Sequence, residues 1–313
     1  MRDYACVIGG INIDIKGIAD TFQKEPDSYP GKVIFTPGGV ARNISENLAR
    51  LDVPVYLFGC IGDDNLANYI ITETKTAGVN IDYVIRSSAV STAKYVSVSS
   101  REGNLHYAVN DMKETSELVT SKYILDNSKL IEKCKMIAAD TNLSANTLNT
   151  IIDIANQNSV PVFIDTVSSS KAGIIKELNG KINYLSPNLN ENENIFGNHD
   201  KIAGLLTTGI FKNFEYIIVK RGIEGVTIID VENERFSAIE SINVDVVESN
   251  GAGDAFDAGF IYAFLRECDI EVSAKIGICA SCLTLKSEKS VSEELNQKNL
   301  LDFYNEKISG NEF

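Results

Sequence analysis

The sequence predicts an α/β fold in three layers, a mostly parallel central sheet with helices on both faces, carrying a small β-sheet as a lid. Three observations point there. From residue 135 onward, apolar strands at 136–139, 160–164, 182–185 and 216–219 alternate with helical stretches such as 144–156, the rhythm of a parallel sheet buried on both faces. Two polar excursions, 17–36 and 92–111, break that rhythm, and the second carries strands at 95–98 and 105–109 around a Glu102-Gly103-Asn104 turn, a hairpin signature. At 313 residues with 44% hydrophobic side chains, the chain can bury one large core. We therefore expect a single α/β domain over 1–313, with a lid formed by about 14–36 and 92–111 inserted in it, a sheet of the size that closes over a ligand.

The elements follow in order. Residues 4–9 form an apolar strand, and the change to strict alternation over 10–15 puts Asn12 and Asp14 on one face and Ile11, Ile13 and Ile15 on the other. Two such polar groups at the end of a buried strand can bind a polyol, since a carboxylate accepts from two adjacent hydroxyls; an exposed edge strand would read the same way. A short strand at 32–35 leads to Gly38-Gly39, where backbone can approach a ligand, and then to a helix with the apolar stripe Val40, Ile44, Leu48 and Leu51. Asn43 and Asn47 stand one turn apart on it, reaching the same ligand or facing solvent. A strand at 55–61, a turn at 62–64 and a helix up to 76 come next.

In the alternating half, ligands gather beyond the carboxyl ends of the parallel strands. That singles out Asp140 and Asn142, residues 165–171 and 186–191, and Lys220-Arg221-Gly222. Asn188 and Glu191 are three apart, enough to share one magnesium-bound water shell or to cap a helix. Lys171 follows three serines, as a phosphate contact or as a solvated lysine. The stretch 248–260 starts Glu248-Ser249-Asn250 and continues as Gly251-Ala252-Gly253-Asp254 into a helix marked by Phe256, Phe260 and Phe264. Glycines at a helix N-terminus expose N–H groups and the positive end of the helix dipole, a site for anions and phosphate above all. Asp254 would repel that phosphate, so it is either a base that must touch a hydroxyl beside it or a helix cap.

Composition excludes several classes. The net charge of −14 argues against a nucleic-acid polymer or an anionic membrane as partner, because both require concentrated Lys and Arg. No apolar run approaches the roughly 20 residues that span a bilayer, and the N-terminus lacks a signal-peptide pattern, so a cytoplasmic location is expected. Most of the six cysteines sit in apolar segments such as 5–7 and 59–61, as small reduced hydrophobes. Cys279 and Cys282 lie in a helical pattern with no second pair, and His106 and His199 have no His or Cys company, which reads as surface or structural. Gly180-Lys181 lacks the rest of a P-loop, and Gly222-x-x-Gly225 is too short for a dinucleotide fingerprint.

Three features in one order, Gly38-Gly39-x3-Asn43 opening a helix, Asn188-x-x-Glu191 after a strand, and Gly251-Ala252-Gly253-Asp254, resemble the PfkB (ribokinase-like) family of sugar and nucleoside kinases across essentially the whole chain. The resemblance implies a ribokinase-like sandwich and ATP-dependent phosphoryl transfer to an alcohol. It implies Asp254 as the base that takes the proton of a primary hydroxyl, with Gly251, Ala252 and Gly253 as the anion hole. Asn12, Asp14, Gly38, Gly39 and Asn43 would hold the sugar, and Asn188 and Glu191 would serve the magnesium–phosphate network. Lys220, Gly222 and Gly225 would contact the nucleotide, and the segment 280–287, with Ser281, Thr284 and Ser287, would enclose the adenine.

Within that family the segments 9–17, 38–44, 108–112, 165–172 and 283–287 look most like pseudouridine kinases. This implies the 5′-hydroxyl of pseudouridine as acceptor, its uracil facing the lid around 94–112, with Asp111 and Lys171 as substrate or phosphate contacts. Another nucleoside, a free sugar such as ribose or fructose, and a catalytically weak nucleoside sensor are the competing readings. Many relatives carry Asp-Thr-x before the Gly-Ala-Gly-Asp, where a potassium site is often built; here Glu248-Ser249-Asn250 stand there. Glu248 and Asn250 are thus candidate ligands of a monovalent cation, with Lys286 or Lys289 as alternative sources of positive charge. The lid offers strand edges and an apolar face, so a lid-to-lid homodimer is expected.

Overall fold

The computed structural model describes residues 4–21, 27–101, 105–197 and 210–309. The expected Glu102–Asn104 turn and His199 lie outside the described residues. In chain order the strands are β1 (Ala5–Ile8), β2 (Asn12–Ala19), β3 (Gly31–Gly38), β4 (Val55–Gly62), β5 (Asn80–Ser87), β6 (Lys94–Ser100), β7 (Leu105–Asp111), β8 (Met136–Asp140), β9 (Val162–Asp165), β10 (Ile182–Ser186), β11 (Phe214–Lys220), β12 (Val226–Asp230) and β13 (Arg235–Ile239).

Nine of them form one sheet in the order β13-β12-β11-β10-β9-β8-β1-β4-β5. From β5 to β11 neighbouring strands are parallel, and the β12–β13 ribbon adds an antiparallel edge. Strand alternation feeds two cores. Ala5 and Val7 of β1 pack in the first, with the Val40–Arg50, Ala252–Leu265 and Ile270–Leu285 helices, and Cys6 and Ile8 pack in the second, with the Ala145–Asn158 helix. The chain runs outward from β1 to β4 and β5, then returns to β8 on the other side of β1. That reversal opens a crevice at the carboxyl ends of β1 and β8, where doubly wound sheets bind ligands.

The second sheet has four strands in the order β3-β2-β6-β7, the expected lid. It grows directly out of β1 through Gly9-Gly10-Ile11, so a strand of the body's sheet continues into the lid. The irregular 17–36 excursion needs correction at both ends. β2 runs on through Ala19, and the ladder with β3 extends from Asn12 opposite Gly38 to Ala19 opposite Gly31. Pairing on both sides, with β3 and β6, holds this stretch extended despite its glycine. The strands β5, β12 and β13 were not expected from the sequence. The strand expected at 160–164 starts at Val162, after Pro161, which has no N–H for a ladder.

Candidate active site

The Gly251–Gly253 turn is built for a bare helix end. Gly251 is the N-cap of the Ala252–Leu265 helix at φ 81°, in the left-handed region, and a Cβ on it would lie 1.9 Å from the Ser290 carbonyl oxygen. Only glycine fits both demands. No side chain caps this helix; the Ala252 N–H turns back to the Ser249 carbonyl at 3.4 Å, and a helix N-terminus without a side-chain cap is a place where an anion can bind. Ser281 Oγ donates to the Ala252 carbonyl at 2.6 Å, bracing the turn from the neighbouring Ile270–Leu285 helix.

Asp254 sits in the first turn and does not cap it. Its Oδ2 accepts a 2.7 Å hydrogen bond from Asn43 Nδ2, at the start of the Val40–Arg50 helix. Burial foremost, then the negative charges of Asp165 and Asp14, push the carboxyl up to about 7, against the Asn43 hydrogen bond and the Lys220 charge. A carboxylate whose proton affinity matches neutral pH is suited to general-base work.

Asn43 is itself held by Arg42, whose Nη1 donates to Asn43 Oδ1 at 3.2 Å. This fixes the amide with its N–H₂ toward Asp254. Arg42 also donates to Glu46 and to Thr74 Oγ1, and both Arg42 and Glu46 are buried. Of the two readings for this helix face, solvent exposure is wrong for both asparagines: Asn43 serves Asp254, and Asn47 is fully buried. Asn12 and Asp14 form a pair on one face of β2, Nδ2 to Oδ1 at 2.7 Å. Gly38 lies beside them, where a Cβ would come within 2.6 Å of the Asp14 carboxylate. Gly39, at φ 99°, opens the helix against the Gly10 carbonyl, 2.4 Å from where its Cβ would be. The fully buried Asp140 joins these pieces, its Oδ2 accepting from the N–H groups of Gly10 (2.8 Å) and Ala41 (3.0 Å). Asp254, Asn43, Asn12, Asp14, Gly38 and Gly39 thus converge at the switch-point crevice.

The nucleotide assignments fare differently. Asn188 and Glu191 form a complete capping box on the Leu189–Phe196 helix, and the Glu191 carboxylate also accepts from Thr166 Oγ1 at 2.6 Å. The helix-cap alternative is therefore what the pair does locally. Lys220, expected as a nucleotide contact, has its ammonium drawn inward: Nζ lies 2.9 Å from Asp165 Oδ2 and 3.3 Å from both oxygens of Asp257. Asp257 is fully buried and also accepts from Ser186 Oγ at 2.6 Å. Burial, opposed by Lys220, and the adjacent Asp165 hold its carboxyl well above the usual range. The ammonium still faces the catalytic turn, 3.6 Å from where a Cβ on Gly253 would stand. Gly222 and Gly225 shape the turn between β11 and β12, and a Cβ on Gly225 would meet the Ile239 carbonyl at 2.0 Å. Of the residues assigned to the adenine, Ser281 is bound to Ala252, Ser287 is half-buried, and Thr284 is fully buried, so its hydroxyl is out of reach of a base.

Lys171 is no solvated lysine. Its ammonium donates to Asn142 Oδ1 and approaches Met112 Sδ at 3.9 Å. The three line a groove of about 560 Å³ with Asn110, Ser116 and Ser170. Burial lowers the Lys171 pKa, against Asp140. Asp111 ends β7 and is exposed; it is not among the residues that line the groove.

Residues 2–295 match the sequence family described as pfkB family carbohydrate kinase. The chain belongs to the PfkB family. It is 31% identical to the pseudouridine kinase of Escherichia coli K12, over 96% of each chain. It is 32% identical to an uncharacterized sugar kinase of the same organism, over 96% of this chain and 83% of the other. Among solved structures, the Arabidopsis thaliana ribokinase complexed with ribose and ATP superimposes with a TM-score of 0.84 at 19% identity, covering 97% of this chain and 99% of that one. The fold is therefore ribokinase-like, and the protein is a PfkB-type phosphotransferase acting on a hydroxyl group. No described helix is long and apolar enough to cross a membrane.

Sequence reasoning missed several residues that shape this PfkB site. Arg42, which orients Asn43, had no signal beyond its place between motif residues. Asp257 had one: a carboxylate inside the apolar run Phe256-Asp257-Ala258 must find a buried partner. Lys16 and its bond to Glu248 join parts 232 residues apart, which no local pattern announces.

Proposed function

We propose that this protein transfers the γ-phosphoryl group of ATP to the 5′-hydroxyl of pseudouridine. The observation that carries the kinase chemistry is the half-buried Asp254, in the first turn of a helix that no side chain caps, held by Asn43. In this reading the acceptor's sugar lies against Asn12, Asp14 and Gly38. Asp254 accepts the proton of the primary hydroxyl as its oxygen attacks, and the N–H groups of the Gly251–Gly253 turn receive the charge of the transferring group. Positioning and charge neutralisation supply most of the rate in such transfers.

Magnesium fits this site only through its own water shell. Glu191 has both carboxylate oxygens engaged by Thr166 and Asn188, and among the described residues no group of three or more His, Cys, Asp or Glu could cage a metal. Mg²⁺ commonly keeps several waters and binds mainly through substrate phosphates; held that way, near Asn188 and Glu191, it would neutralise phosphate charge.

The likeness to the E. coli pseudouridine kinase over nearly the full length of both chains supports the acceptor. So does the groove of Lys171, Asn142 and Asn110, whose amide and ammonium donors suit the carbonyl oxygens of a uracil ring. A second reading, a free sugar such as ribose, has support in the comparable identity to a sugar kinase. An assay with ATP, Mg²⁺ and pseudouridine, uridine, inosine, adenosine, ribose or fructose decides between them. Turnover of a free sugar with none of pseudouridine would overturn the first reading, and absence of any turnover would favour a nucleoside sensor. The lid's apolar outer face further supports a lid-to-lid homodimer.

A further inference from the structure

The loop that opens the anion hole is organised by Glu248. Its Oε1 accepts the N–H groups of Ser249 (2.9 Å) and Asn250 (3.1 Å), and its Oε2 receives Lys16 Nζ at 2.8 Å. Burial works to raise this carboxyl, but the Lys16 hydrogen bond, the Asn250 N–H, the Lys16 charge and the Ser249 N–H outweigh it and hold the group below the usual range. Lys16 belongs to the lid. It follows Asn12 and Asp14 at two-residue spacing on β2, on the same face, and only 7% of it is exposed. One strand therefore carries both the clamp for the acceptor and the cation for the anion-hole loop.

A monovalent cation does not fit at Glu248 and Asn250. Such an ion at the carboxylate would lie against the Lys16 ammonium, and both carboxylate oxygens already accept protein donors. The Leu285 carbonyl nearby accepts from the N–H groups of Val247 and Glu248. The Ser290 segment that abuts Gly251 brings a carbonyl oxygen and a buried hydroxyl without a partner, neutral oxygens that add no negative charge to hold a cation against Lys16.

We propose that Lys16 is a positioning residue for phosphoryl transfer: its ammonium supplies, from the lid strand itself, the positive charge at Glu248, and ties the acceptor clamp to the loop that opens the anion hole. The kinase then works without a dissolved monovalent cation. This rests on the kinase reading and not on the choice of acceptor.

Initial rates in potassium, sodium and choline chloride at one ionic strength test it. The unaltered enzyme should differ by less than about two-fold among the salts, and its Tm should be the same in all three, because an ion bound only to the folded state would raise it. Lys16→Met should lose about 10- to 100-fold in kcat with a much smaller change in KM for ATP, regain activity in potassium over choline, and be partly restored as Lys16→Arg. Glu248→Gln should lose kcat with no potassium rescue. Activation of the unaltered enzyme by potassium of more than about five-fold would overturn the proposal, as would parental kcat in either variant. If Lys16→Met does not fold, the salt series on the unaltered enzyme and on Glu248→Gln still decides. A wrong acceptor is distinguishable: pseudouridine then fails in every salt, while another acceptor is turned over and carries the salt comparison.

Discussion

At the scale of single residues, Asp254 joins catalysis and stability through one proton. Its folded pKa near 7 means that the base is half ionised at neutral pH, so kcat/KM should rise with pH through about 7 and level off above it. Asp254→Asn should lie at least about 100-fold lower and lose this limb, while nucleoside binding by calorimetry persists. The same shift costs stability. The folded state holds the proton more tightly than the unfolded chain, whose carboxyl titrates near 3.8, so this group's contribution falls as pH rises from about 4 to about 7 and is most unfavourable above. The upper limit is about 4 kcal/mol, for a carboxyl moved from 3.8 to about 7. Asp254→Asn should therefore denature at higher urea than the parent at pH 8, with the gap closing toward pH 4. An equal gap at both pH values would contradict the shifted base.

At the scale of elements, what fixes the catalytic helix is the charge cluster beneath it. Lys220 at the end of β11, Asp165 at the end of β9 and Asp257 one turn into the Ala252–Leu265 helix bind across three elements. Replacing Lys220 by Met leaves the buried Asp165 carboxylate, with the Asp257 carboxyl beside it, without a cation and should cost about 3–5 kcal/mol in urea unfolding. Asp257→Asn keeps the Lys220–Asp165 pair and should cost far less. A Lys220→Met variant as stable as the parent would show that the carboxylates are satisfied without it. This cluster also marks the limit of the sequence. Asp165 and Lys220 drew notice because strand ends in a parallel sheet point at ligands, but nothing local told whether they face a nucleotide or each other. The Gly251–Asp254 turn was legible because its chemistry is local, a glycine for the left-handed N-cap and a carboxylate in the first turn. The β2–β3 ladder was not, since cross-strand pairing rather than periodicity holds residues 16–19 extended.

At the scale of the molecule, the lid has two faces with opposite chemistry. Asn12, Asp14 and Lys16 turn one face to the site. Across the other run two apolar rows fixed by register, Phe35-Ile15-Val96-Val109 and Val33-Gly17-Val98-Tyr107, in which Val33, Tyr107 and Val109 are each more than 60% exposed. These exposed side chains leave much of that face of the lid sheet uncovered by the body of the protein. The occupant we favour is a second copy's lid. Molecules that each carry −14 repel one another, and an uncharged face is where two can meet with least repulsion. A two-fold contact uses the same patch on both subunits, so one new charge enters the interface twice. Light scattering at micromolar concentration should give a dimer for the parent and a folded monomer for Val96→Lys, from the middle of the first row. Because β2 lies in the same sheet and carries the acceptor clamp, the monomer should also show a raised KM for the acceptor with KM for ATP nearly unchanged. A parent that is monomeric across the concentration range would rule out the lid contact.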